Sequence, residues 1–87
     1  MKIKEGFILR KVAKQYVVVA TGKASKDFNG MIRLNASAAY LFGLMKEDMT
    51  EEALLKALMT EYAVEETIAK EDVSMFLSKL KEAGAIA

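Results

Sequence analysis

The stretch Met31-Ile32-Arg33-Leu34-Asn35 decides the architecture of this 87-residue chain. It is a short, largely apolar strand that runs into an asparagine, a residue suited to accept a hydrogen bond from an orphan amide at a helix start. The junction reads as strand, cap, helix. Upstream, Phe7 to Ala13 and Tyr16 to Ala20 (FILRKVA and YVVVA) are rich in β-branched and aromatic residues. Little more than Lys14-Gln15 separates them, which predicts a hairpin. Downstream come three helical patterns and no further strand. The order β-β-β-α-α-α predicts an α+β domain of winged helix-turn-helix-like form, with a three-stranded antiparallel sheet followed by three helices.

Between the second and third strands, Thr21 to Gly30 (TGKASKDFNG) is polar and ends in Asn29-Gly30, a pair that favours positive φ and hence a loop. Phe28 is expected to fold back onto the core. After Asn35 a helix runs to about Lys46. Its face of Ala38, Leu41, Phe42 and Met45 keeps i, i+3, i+4, i+7 spacing, and Gly43 inside it suggests close approach of another element. Thr50 before Glu51-Glu52 caps a second helix that favours acids in its first turn. That helix should bury Leu54, Leu55, Leu58 and Tyr62 and end near Tyr62. The third helix spans about Glu65 to Ala83, with a seam of Val73, Phe76, Leu77 and Leu80. Lys79 and Lys81 stand near its end, and Gly84 where a left-handed cap belongs.

A continuous pattern without proline or low-complexity sequence predicts one domain over residues 1–87, able to bury roughly 60% of its unfolded surface. No charged-then-apolar leader opens the chain and no apolar run approaches the ~18 residues of a membrane span, so a cytoplasmic, soluble protein away from membranes is expected. The chain lacks cysteine and histidine. It therefore offers no thiolate, imidazole base or soft metal ligand, and no Gly-rich phosphate loop follows any strand. The acid pairs Glu51-Glu52, Glu65-Glu66 and Glu71-Asp72 diverge by ~100° on a helix, and helix-start acids are the ordinary electrostatic choice. The expectation is a protein without catalysis, metal or cofactor.

The formal charge of +1 conceals an asymmetry. Residues 1–35 hold eight Lys and Arg against two acids, a net +6, and residues 36–87 hold five against ten, a net −5. Such a bipolar surface suits either the steering of a charged peptide into a groove between sheet and helices or, more plainly, two solvated faces of opposite sign. The predicted fold also raises a DNA-binding regulator as an alternative. Its recognition helix would be the third, where Lys70, Lys79 and Lys81 face Glu65, Glu66, Glu71, Asp72 and Glu82. That net −2 opposes docking against phosphates and makes nucleic acid the weaker reading. A subunit that only scaffolds an assembly through an exposed apolar patch is a further alternative.

Taken in order, these elements resemble the small proteins related to pyrroloquinoline-quinone biosynthesis protein D, the PqqD-like precursor-peptide recognition elements. The resemblance rests on the apolar hairpin, on Arg33-Leu34-Asn35 with Ala38, Leu41 and Phe42, and on Thr50-Glu51-Glu52 with Leu54, Leu58 and Tyr62. It closes on Asp72-Val73, Phe76-Leu77 and Leu80 before Ala83-Gly84. The chain departs from the family pattern at Glu47-Asp48-Met49, where a glycine commonly stands, and at Ala63, where an acidic cap often precedes the third helix.

The resemblance implies a non-catalytic adaptor that binds the leader of a ribosomally made precursor peptide and presents it to a modifying enzyme, often a radical S-adenosylmethionine protein. It implies that the leader adds antiparallel to the third strand, at Met31, Ile32, Arg33 and Leu34, with Arg33 placed to meet a leader acid. The opposing wall would be Asp72, Met75, Phe76, Lys79 and Leu80 of the third helix. Phe76 and Leu80 also fit a plain core role, whereas Met75 and Lys79 lie off the seam. An open edge strand offers ladder hydrogen bonds to any extended partner, so a homodimer through the sheet edge stays open too. So does the direction of the Ile32 amide, which decides what proline there would break.

Overall fold

The computed structural model describes residues 1–28 and 30–86, with Asp27 described through its backbone alone. The elements follow the order β1 (Phe7–Val12), β2 (Gln15–Ala20), α1 (Ala24–Asp27), β3 (Met31–Leu34), α2 (Ala36–Leu44), α3 (Glu51–Tyr62) and α4 (Glu66–Glu82). The three strands form one antiparallel sheet in the order β1-β2-β3, so β1 and β3 are its edges. The α+β, winged helix-like arrangement expected from the sequence is present, with one addition. The polar loop after β2 contains the single-turn α1, held by Ser25 Oγ donating to the Gly22 carbonyl at 2.6 Å. Asn29 of the expected Asn29-Gly30 turn lies outside the described residues.

Gly6 fastens this turn to the sheet. Its carbonyl accepts from the Thr21 amide at 2.7 Å, its φ is +94°, and a Cβ there would stand 2.9 Å from both the Thr21 carbonyl oxygen and Ala24 Cβ. Backbone strain and backbone collision thus coincide. Gly6→Ala is expected to lower unfolding stability by about 1–3 kcal/mol, read as a lower urea midpoint with an unchanged slope.

The core lies between the sheet and the helices. Leu41, Phe42 and Met45 meet Leu54, Leu58, Val73, Phe76, Leu77 and Leu80, with Val18, Ile32 and Leu34 contributed by the sheet. Every buried side chain among the described residues is apolar. Asn35 caps α2 by accepting from the Ala38 amide at 2.8 Å, and Thr50 caps α3 by accepting from the Ala53 amide at 3.0 Å. Glu65 occupies the N-cap of α4 without a side-chain bond, while Ala63 turns left-handed at φ 50° to close α3. The seam of α4 is buried as expected, and Gly84 adopts φ 73° after it.

Three expectations fail locally. Nothing stands within 4 Å of a Cβ placed at Gly43, which faces solvent rather than a neighbouring element. Tyr62 is 40% exposed; its ring packs edge-on against Tyr40 at 5.9 Å on the surface instead of entering the core. On α2 the fully buried alanine is Ala39, and Ala38 is half-buried. Both ends of the chain add contacts that periodicity does not reveal. Ile3 and Lys4 donate backbone hydrogen bonds to Met45 and Ala85, and Ala85 and Ile86 are buried. The Met1 amine lies 2.6 Å from Asp48 Oδ1, and this hydrogen bond with its positive charge holds the Asp48 carboxyl below its usual value.

Candidate functional site

The hairpin turn determines which atoms the sheet offers at its far edge. Val12 pairs with Gln15 across the two-residue loop Ala13-Lys14, and a loop that short is closed by a pair exchanging both hydrogen bonds. Bonded pairs then recur at every second residue. The Thr21 amide donating to the Gly6 carbonyl at 2.7 Å extends the same phase beyond the strands. Gln15, Val17 and Val19 therefore spend their backbone groups on β1, leaving those of Tyr16 and Val18 for β3. Their partners there are Leu34 and Ile32. Ile32 and Leu34 consequently direct N–H and C=O inward, and Met31 and Arg33 direct theirs to the open edge.

Side chains follow the complementary alternation. Ile32 and Leu34 are buried against the helices, whereas Met31, 59% exposed, and Arg33 point to the opposite face of the sheet. An acid that meets Arg33 would thus come from an outward-facing side chain of an added strand and not from one inside the cleft.

Beside this edge runs a groove walled by α4. At one end is a notch of about 90 Å³ lined by Arg33, Leu34, Asn35, Ser37, Ala38, Leu41, Asp72, Met75, Phe76 and Lys79. It continues past Arg33 and Lys79 onto an open shelf formed by Phe28, Met31, Ile32, Glu82 and Ala83. Small-molecule sites run to roughly 300–1,000 Å³, so the notch suits one side chain of an extended ligand better than a cofactor. Met75, 62% exposed, and Lys79 form its outer lip, Asp72 its half-buried end and the buried Phe76 its floor.

Among the described residues the ion pairs are Met1 with Asp48 and Lys70 with Glu66, so Arg33, Asp72 and Lys79 meet no charged partner there. The groove brings together all the sequence candidates except Leu80, which is 0% exposed and belongs to the core. Sequence reasoning missed Asn35, Ser37, Ala38 and Leu41, which complete the notch. The cap at Asn35 was the available signal, because a capped helix start must lie where the strand ends.

Sheet, packed helices and lateral groove define an α+β domain of the winged helix-turn-helix-like class. Among solved structures it is similar to TbiB1 in complex with the TbiA(beta) leader peptide, at 20% identity and TM-score 0.73 over 98% of this chain and 93% of that one. It is also similar to lasso peptide synthetase B1 complexed with the leader peptide, at 22% identity and TM-score 0.70 over 95% and 92%. No curated protein matches the chain in sequence. The chain belongs to the PqqD family: residues 10–86 match coenzyme PQQ synthesis protein D. No helix among the described residues is long and apolar enough to cross a membrane.

Proposed function

We propose that this protein is a cytoplasmic peptide-binding adaptor. It binds the leader of a ribosomally synthesised precursor peptide as a fourth strand on β3 and presents the peptide to a modifying enzyme in trans, such as a radical S-adenosylmethionine protein. The observation that carries this reading is the coincidence of two features: Met31 and Arg33 direct to the sheet edge backbone groups that have no partner among the described residues, and a side-chain-sized notch opens directly beside them. An added strand gains affinity from the ladder and specificity from alternate side chains entering pockets. Family membership and the likeness to two domains solved with leader peptides support the same choice. The chain's part is to hold and orient the peptide; the chemistry belongs to the partner.

Fluorescence anisotropy of a labelled leader from the adjacent reading frame, with random duplex DNA alongside, tests the reading at low and high salt. Micromolar or tighter peptide binding that survives salt is expected; salt-sensitive binding of DNA alone would instead make the domain a regulator. Met75→Asp places a charge at the exposed lip without touching the core. It should weaken leader binding on the order of tenfold while leaving the thermal midpoint unchanged.

A further inference from the structure

The side of the sheet turned away from the helices is not blank. The strand register aligns Ile8, Val19 and Met31 in one row and Arg10, Val17 and Arg33 in the next. None of these residues belongs to the core between sheet and helices. Ile8 and Met31 are 39% and 59% exposed, and Val12 beyond them is 58% exposed. Val17 is nonetheless only 6% exposed, although its neighbours across both ladders are arginines. Long arginine stems lie along apolar surface in this way while their guanidinium groups stay in water. The two arginines thus form a cationic band across the middle of the face, with exposed apolar side chains on either side of it, and the strand residues that point there include no acid.

We infer that this outer face docks the modifying enzyme through an apolar surface crossed by a band of acidic side chains, and that the captured peptide completes the docking surface. The inference rests on the peptide-binding reading. A strand added to β3 sends alternate side chains to each side of the sheet. Those entering the groove hold the peptide, and those on the outer side extend the rows that end at Met31 and Arg33. The partner thereby meets adaptor and peptide as one continuous surface.

Charge and size both favour such a partner over a second copy of this chain. Two copies stacked face to face would juxtapose Arg10 and Arg33 with their own images, and like charges brought together oppose association. Strands about 4.8 Å apart, β1 and β2 about 20 Å long and β3 about 13 Å, make a face of roughly 200–300 Å², against ~800 Å² per partner in a standard stable interface. That extent fits a transient encounter, and the fourth strand enlarges it.

Arg10→Glu and Ile8→Glu test the inference, because both lie on β1, at the sheet edge opposite the groove. Circular dichroism first verifies that each variant folds. The co-encoded modifying enzyme is the probe, titrated by calorimetry against the adaptor with and without leader, while anisotropy follows leader binding to the adaptor alone. The expected result is a loss of enzyme affinity of tenfold or more in both variants, retention in Arg10→Lys, and leader affinity within twofold of the wild type. Enzyme affinity should also be higher for the adaptor–leader complex than for the adaptor alone, with the reciprocal gain in leader affinity.

Unchanged enzyme affinity in both variants, with the leader still bound, overturns the docking face and leaves the peptide reading standing. A wild-type protein that captures no leader overturns the peptide reading and this inference with it. A wild-type dimer in sedimentation that Ile8→Glu dissociates would assign the face to self-association and overturn the partner.

Discussion

Arg33→Pro should lose peptide capture and keep its fold, whereas Ile32→Pro, one residue earlier, should lose the fold. The difference follows from ladder phase. Arg33 directs its amide to the open edge, where proline withdraws a donor from an incoming strand and interposes a ring; edge strands tolerate this in the free protein. Ile32 directs its amide to β2 opposite Val18, so proline there removes a bond of the ladder that holds β3, beneath a side chain only 9% exposed. For Arg33→Pro, leader affinity is expected to fall tenfold or more at an unchanged circular dichroism spectrum. Arg33→Ala separates the two losses: it removes the guanidinium but retains the N–H, and should weaken binding less. Equal affinities for Arg33→Pro and wild type would eliminate strand addition at β3.

Phe76→Ala should be the most destabilising of the groove substitutions. The ring is 3% exposed and forms both the notch floor and part of the core that joins α4 to β3 and α2. Truncating a buried phenylalanine typically costs about 3–5 kcal/mol, a large fraction of the 5–15 kcal/mol that holds a small domain together. Urea denaturation should show a large drop in midpoint. Leader binding, extrapolated to the folded fraction, should weaken as well, because the floor collapses or deepens. A loss below 1 kcal/mol would mean that the ring is less embedded than its surroundings indicate. This double role makes Phe76 a poor probe of recognition, and Met75 on the same turn of α4 a better one.

The contrast between Phe76 and Met75 also shows what the sequence disclosed. Hairpin, third strand and helices were legible from periodicity, and both side-chain caps from Asn35 and Thr50, because such patterns have local causes. The one-turn α1 was not legible: four residues in a polar loop have no apolar period, and their helical form depends on contacts around Gly6 and Gly22. Tyr62 kept helical spacing yet stayed at the surface, since Tyr40 of α2 packs against its ring there. Gly43 satisfied no neighbour, because a glycine signals close approach only when another element arrives.

Within the candidate site, β3 and the Asp72–Met75–Lys79 stripe followed from the family resemblance and helical spacing. Leu80 stands about 40° of helical rotation from Phe76, which turns it from the groove's margin to the interior, the core role that its place in the seam also fits. The residues of α2 that complete the notch were hidden for another reason. Their contribution depends on the angle at which α2 leaves Asn35, and that angle is a tertiary property. Ladder phase likewise depends on the two-residue turn at Ala13-Lys14, which carries no Asn-Gly or Asp-Gly signal to fix its position.

An interior made only of apolar side chains has a consequence for how such a domain diversifies. Because no buried polar group among the described residues ties the fold to a particular surface residue, the exposed side chains on the lip of the groove, Met75 and Lys79, carry little of the folding free energy. They can be exchanged almost independently of the scaffold, so under the proposed function a descendant could take up a different leader without first becoming unstable.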